Sequence, residues 1–196
     1  DLIHGSNESY RFGDGCIIAD FGELFRPSLK NITVRSLLFR NWEIQKMVGQ
    51  RIIRVAVNGY GVIGKRVAQA VAVQKDMAIA GVADVAQDWR VRAALSRGYA
   101  LYGATEEHAV AMGAAGLDVS GSLDDLLGAA DIVVDCTPKH LASKNIQTSR
   151  RLGIKYIVHG GETHESTGHS FVAEANYASA VGRDGTRVVS CNTTSI

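Results

Sequence analysis

From Arg51 onward, apolar positions fall into two alternating patterns, short continuous runs and helically spaced series. Ile52 to Val57 is an apolar, mostly β-branched run, as expected of a strand buried on both faces of a parallel sheet. Met77 to Ala83, Asp131 to Asp135, Ile154 to Val158 and Thr186 to Ser190 repeat that pattern. Between them, Ile63, Val67, Ala70 and Val71 predict a helix over 62–73. Val91, Ala94 and Leu95 predict one over 88–97, with Arg90, Arg92 and Arg97 on its basic side. Further helices are expected over 106–115, 141–152 and 172–181, and Ser122 with Asp124 and Asp125 signals a short capped helix. Strand and helix alternate throughout. The fold class is therefore α/β, a doubly wound and mostly parallel sheet with right-handed crossovers.

Residues 1–50 break this rhythm. Asp1, Glu8, Asp14, Asp20 and Glu23 face Arg11 alone in the first half, whereas Arg26, Lys30, Arg35, Arg40 and Lys46 face only Glu43 in the second. No helical or strand period is sustained, and Met47 would make a natural start for the folded part. We expect an extension of unknown structure over 1–50 and a nucleotide-binding domain over 51–190.

Composition narrows the function classes. The chain has 196 residues, 46% hydrophobic and 21% charged, with a net charge of +1, so neither disorder nor a polyanionic partner is indicated. No nucleic acid and no membrane are expected as partners, because no apolar run approaches the roughly 18 residues that span a bilayer. Cys16, Cys136 and Cys191 are an odd number without paired spacing, which suits a reducing compartment and a cytoplasmic location.

The chemistry concentrates in two places. Gly59-Tyr60-Gly61-Val62-Ile63-Gly64 follows a strand and opens a helix, the context a pyrophosphate site requires. Gly59 permits the tight turn, Gly61 lets backbone approach the phosphates, and Gly64 lets helix pack on strand. The amides of Val62 and Ile63 would face the pyrophosphate. Asp84 ends the second strand, where a carboxylate can accept the adenosine ribose hydroxyls and repel a 2′-phosphate. NAD is thus favoured over NADP, with Arg90 and Arg92 nearby in sequence. Thr137 and Pro138 end a central strand and would border the cofactor ribose, and Gly160 and Gly161 suggest another close approach to a ligand. Cys136 reads as buried filler. Cys191 follows a β-branched strand and precedes Asn192, Thr193 and Thr194, the first turn of a helix, where a thiol gains thiolate character. Those side chains and their amides could bind an oxyanion or a phosphate.

Asn58 to Arg66, Gly98-Tyr99-Ala100-Leu101-Tyr102, Asp135-Cys136-Thr137-Pro138, Gly160-Gly161-Glu162 and Ser190-Cys191-Asn192-Thr193-Thr194 occur in that order. Together they resemble the archaeal-type (type II) glyceraldehyde-3-phosphate dehydrogenases over about residues 51–194. That resemblance implies phosphorylating oxidation of glyceraldehyde 3-phosphate with NAD or NADP through a thioester on Cys191, with inorganic phosphate as second substrate. It implies that Ser190, Asn192 and Thr193 flank the reacting carbon, and that the full-length protein is a homotetramer. Family members usually carry lysine where Asp84 stands. Residues 191–196 would begin a second, catalytic domain cut off at its start, and the histidine used by the family as general base would lie in the missing part. A fragment of this extent is expected to be inactive by itself. The related readings are another phosphorylating semialdehyde dehydrogenase, such as aspartate-semialdehyde dehydrogenase, or a non-catalytic nucleotide-binding fragment.

Overall fold

The computed structural model describes residues 51–159 and 161–190. The expectations for residues 1–50, for Gly160 and for residues 191–196 lie outside the described residues. The strands are β1 Ile53–Asn58, β2 Met77–Asp84, β3 Leu101–Gly103, β4 Gly121–Ser122, β5 Ile132–Asp135, β6 Lys155–Val158, β7 Ser170–Phe171 and β8 Gly185–Val188. The helices are α1 Val62–Ala72, α2 Trp89–Leu95, α3 Glu106–Ala114, α4 Leu123–Ala129, α5 Ala142–Leu152, α6 His164–Thr167 and α7 Ala173–Ala180.

All pairings are parallel, in the order β4-β3-β2-β1-β5-β6-β8-β7. Successive strand side chains point to opposite faces, so one strand feeds two cores. Val55, Val57, Ile132, Val134 and Ile157 pack with Val67, Ala68 and Val71 of α1, Val91 and Ala94 of α2 and Met112 of α3. Ala56, Val133, Tyr156 and Val158 point the other way, onto Leu123, Leu126 and Leu127 of α4 and Ala142 and Ile146 of α5. This two-sided cover explains why the central strands read as largely apolar runs, broken only toward their entry ends, as at Arg54 and Lys155. The doubly wound α/β architecture is that of a Rossmann-like, NAD-binding fold.

Helix ends follow local chemistry. Asp88 caps α2 by accepting from the Arg90 amide at 2.9 Å, and Thr105 caps α3 by accepting from the His108 amide. At α4 the carboxylate of Asp125 reaches back to the amide and the hydroxyl of Ser122, at 2.8 and 2.9 Å. Left-handed Gly153 stops α5 and turns the chain toward β6. Four elements have no forerunner in the sequence pattern: β3, β4, β7 and α6. Each spans two to four residues, too few to display a period. Inside α7, Asn176 leaves helical geometry, and its side chain accepts from the Val172 amide and donates to the Ser170 carbonyl. A short amide thus competes with the helix's own bonds.

Candidate nucleotide-binding site

Every strand of a parallel sheet delivers its C-terminal end to the same edge. The chain runs outward from β1 through β2, β3 and β4, then returns to place β5 on the other side of β1, so a crevice opens where the order reverses. The Gly59–Gly64 turn stands at that point. Gly59 has φ +91°, and its amide donates to the Ala83 carbonyl at 2.8 Å. A Cβ there would lie 3.0 Å from the carbonyl carbon of Cys136, so the β1 turn and the end of β5 touch through backbone. At Gly64 a Cβ would meet the Gly59 carbonyl oxygen at 1.9 Å, which makes this position the contact between helix and strand. Gly61 differs: nothing lies within 4 Å of where its Cβ would be. It is the N-cap of α1, offers no capping side chain, and is followed by no acidic residue in the first turn. The leading amides of α1, those of Val62 and Ile63 included, and the helix dipole behind them therefore favour an anion from solvent. The residues present fit a dinucleotide pyrophosphate.

Asp84, at the tip of β2, is half-buried and heavily engaged. Its Oδ2 accepts from the Tyr60 amide at 2.6 Å, and its Oδ1 accepts from the amides of Val85 and Ala86, each at 2.8 Å. The carboxylate fixes the loop after β2 and couples it to the glycine turn. Beside it, Lys65 Nζ lies 4.1 Å from the centroid of the exposed Trp89 ring and 5.7 Å from that of the buried Tyr60 ring. Arg90 is held by Asp88 at 2.8 Å.

The opposite wall is built on Asp135, 3% exposed at the end of β5. It accepts from the Thr137 amide at 2.9 Å, the Thr137 hydroxyl at 2.5 Å, Asn58 Nδ2 at 3.2 Å and Asn145 Nδ2 at 2.7 Å. Four neutral donors thus serve one buried carboxyl group, while the buried Asn58 Oδ1 has no protein hydrogen-bond partner. Burial, aided by the nearby Asp135 charge, pushes the Cys136 thiol up to about 12. A thiol so placed is protonated and inert at neutral pH. Pro138 is exposed, and the loop it opens runs through His140 to α5.

The topology brings Gly59, Gly61, Val62, Ile63, Gly64, Asp84, Thr137, Pro138 and Gly161 to one edge of the sheet. Ser190 follows β8 at that edge, while Gly160, Cys191, Asn192 and Thr193 lie outside the described residues. Sequence reasoning gave no role to Asn58, Asn145 or Lys65. Their partners follow no helical or strand period, Asn58 meeting Asp135 77 residues away and Asn145 meeting it 10 residues away, and only the polar Asn58 closing an apolar strand offered a hint. Among the described residues, an open cleft of about 610 Å³ lies at the opposite edge, between Arg150, Tyr156 and Arg183. It is remote from the glycine turn.

The family model described as dihydrodipicolinate reductase, N-terminus, matches residues 53–181, from β1 to the end of α7. The chain belongs to this family. The match takes in β1 through β7 with their connecting helices and stops short of β8. Among curated proteins, a glyceraldehyde-3-phosphate dehydrogenase of Methanothermobacter thermautotrophicus is 51% identical over 145 residues, 74% of this chain and 43% of that protein. One from Methanothermus fervidus is 49% identical over 142 residues, 72% of this chain and 42% of that protein. One from Pyrococcus furiosus is 47% identical over 144 residues, 74% of this chain and 43% of that protein. The chain spans less than half the length of these relatives. The relatives are dehydrogenases, and with the Rossmann-type fold they support a nicotinamide cofactor for this domain. Among the described residues, no helix is long and apolar enough to cross a membrane.

Proposed function

We propose that this chain is the dinucleotide-binding part of a phosphorylating glyceraldehyde-3-phosphate dehydrogenase that uses NAD or NADP. The observation that carries the reading is the uncapped start of α1, with open space at Gly61 and a closed contact at Gly64, in a chain whose curated relatives bear that enzyme's name.

In this reading the amides of Val62 and Ile63 bind the pyrophosphate, Asp84 accepts from the adenosine ribose, and Thr137, Pro138, Gly160 and Gly161 border the other half of the cofactor. The ribose bond is compatible with the amides Asp84 already serves, since each carboxylate oxygen carries two lone pairs. When bound, the nicotinamide accepts the hydride released by the oxidised carbon. Cys191 supplies the nucleophile: its thiolate adds to the aldehyde of glyceraldehyde 3-phosphate, giving a hemithioacetal. Loss of the hydride from carbon and the proton from oxygen leaves a thioester on Cys191. Inorganic phosphate then attacks that carbonyl, and 1,3-bisphosphoglycerate departs as the thiolate is restored. Ser190, Asn192 and Thr193 orient the reacting carbon and its oxygen. The base that takes the proton belongs to the second domain, so residues 51–190 bind and orient but do not turn over substrate unaided. The full-length assembly is proposed as a cytoplasmic homotetramer.

The test is direct. The chain should bind NAD or NADP by titration calorimetry, and Gly61→Val should abolish binding without unfolding it. In a chain extended through the second domain, Cys191→Ser should still bind dinucleotide yet form no acyl-enzyme. Failure of the wild-type chain to bind either dinucleotide sinks the reading.

A further inference from the structure

Two carboxylates at the nucleotide edge are buried, Asp135 and Glu162. Glu162 lies in the loop after β6, beside Gly161, and is 6% exposed. Its Oε1 accepts from the backbone amide of His140 at 2.6 Å, across the gap between the loops that follow β5 and β6. His140 has φ +76°, and it is the one non-glycine residue with positive φ among the described residues. An L side chain in the left-handed region is strained and persists only where its surroundings hold it. The short, charge-assisted bond to Glu162 is such a hold. Glu162 is itself fixed from the far side: its carbonyl accepts from Arg187 Nη1 at 2.7 Å, and Arg187 Nε donates to Ser170 Oγ at 2.7 Å. The loop after β5 thus hangs from the loop after β6, which hangs from β8.

We infer that Glu162 is a positioning residue for the dinucleotide site, latching the 137–141 loop in its strained turn against the glycine turn of β1. This deepens the proposed function and rests on reading that edge as a dinucleotide site. The mechanical link is short. Leu141 N donates to the Pro138 carbonyl at 3.3 Å, which closes the turn over His140. The Thr137 amide nitrogen stands 3.1 Å from where a Gly59 Cβ would be. A shift of a few tenths of an ångström in the 137–141 loop therefore reaches the wall that faces the pyrophosphate. Glu162 touches no reacting atom in this scheme and acts through backbone alone.

The discriminating experiment combines the latch with the strain. Glu162→Ala should speed amide hydrogen exchange at residues 139–141 at least tenfold and weaken NAD(P) binding about tenfold. Glu162→Gln, which keeps an oxygen acceptor, should stay within about threefold of wild type in both. Adding His140→Gly to Glu162→Ala should recover most of the lost affinity, because glycine adopts φ +76° without a tether. A merely structural Glu162 would give no such recovery. Unchanged exchange at 139–141 in Glu162→Ala overturns the latch, as does a Gln variant as weak as Ala, or a double variant that folds but is not rescued. The exchange readout needs no ligand, so a wild-type chain that binds no dinucleotide refutes the proposed function separately from the latch.

Discussion

The main-chain amide of Tyr60 donates to the Asp84 carboxylate across 2.6 Å, so the tip of β2 grips the glycine turn of β1. The same carboxylate caps Val85 and Ala86. A side chain expected to read the ribose is therefore also a strut. Asp84→Lys should move preference from NAD toward NADP by replacing a repulsive charge with an attractive one, and should also destabilise the fold by about 1–3 kcal/mol through three stranded amides. Paired NAD and NADP titrations beside a urea melt measure both effects. An unaltered NAD/NADP ratio would mean that Asp84 is a strut only.

Two glycines of the turn should fail in different ways. Gly64→Ala forces a Cβ to within 1.9 Å of the Gly59 carbonyl oxygen and should cost about 1–3 kcal/mol as helix and strand are pushed apart. Gly61→Ala meets open space and should leave stability within about 0.5 kcal/mol, since the backbone there is extended. It should nonetheless weaken dinucleotide binding by crowding the phosphates. Equal melting losses for the two variants would contradict this division of labour.

Thiol labelling should separate two of the cysteines. With its thiol pushed up to about 12, Cys136 should resist iodoacetamide at pH 8 in the folded chain and react only after unfolding. Cys191, read as a thiolate at a helix start, should label first. Peptide mass spectrometry after a short pulse decides it, and early labelling at Cys136 would count against its assignment as an inert, packed residue.

Stability should vary with pH in two windows. Burial holds His169 below its ordinary 6.5, with its ring nitrogens 2.7 Å from Thr186 Oγ1 and 2.9 Å from Ser179 Oγ. The unfolded chain then binds more protons there, so this contribution is complete above 6.5 and is lost as pH falls below it. Asp131 is held at about 2 rather than 3.8 by Arg54, with Arg51 adding to the attraction. Its contribution is present above about 4 and is lost as pH drops toward 2, by no more than about 1 kcal/mol because the pair is partly solvated. Denaturant midpoints across pH 2–8 should lose the upper slope in His169→Gln and the lower slope in Asp131→Asn. A wild-type profile flat through both windows would refute these assignments.

The sheet and its main crossovers were legible because Val55, Val57, Val133 and Val134 sit in runs that only two-sided burial explains. The glycine turn was legible because its spacing follows from backbone sterics. The polar frame behind it was not. Asn58 finds Asp135 at a separation of 77 residues, and His140 finds Glu162 at 22, partnerships that no local period encodes. Edge strands such as β4 were equally silent, since two residues carry no pattern.

Those unequal separations set a timetable for synthesis. Tyr60 and Asp84 are 24 residues apart, so β1, α1 and β2 can join as soon as the first crossover has emerged. The partner on the other side of β1 comes 77 residues after it, and closing that longer loop costs about 1 kcal/mol more in chain entropy. At usual elongation rates, roughly 4–15 s separate the emergence of Asn58 from that of Asp135. During that interval the apolar flank of β1 has no neighbour and offers an open edge to any other nascent strand. A chaperone that shields one strand edge would meet its need here, before the β5 wall of the proposed dinucleotide site exists.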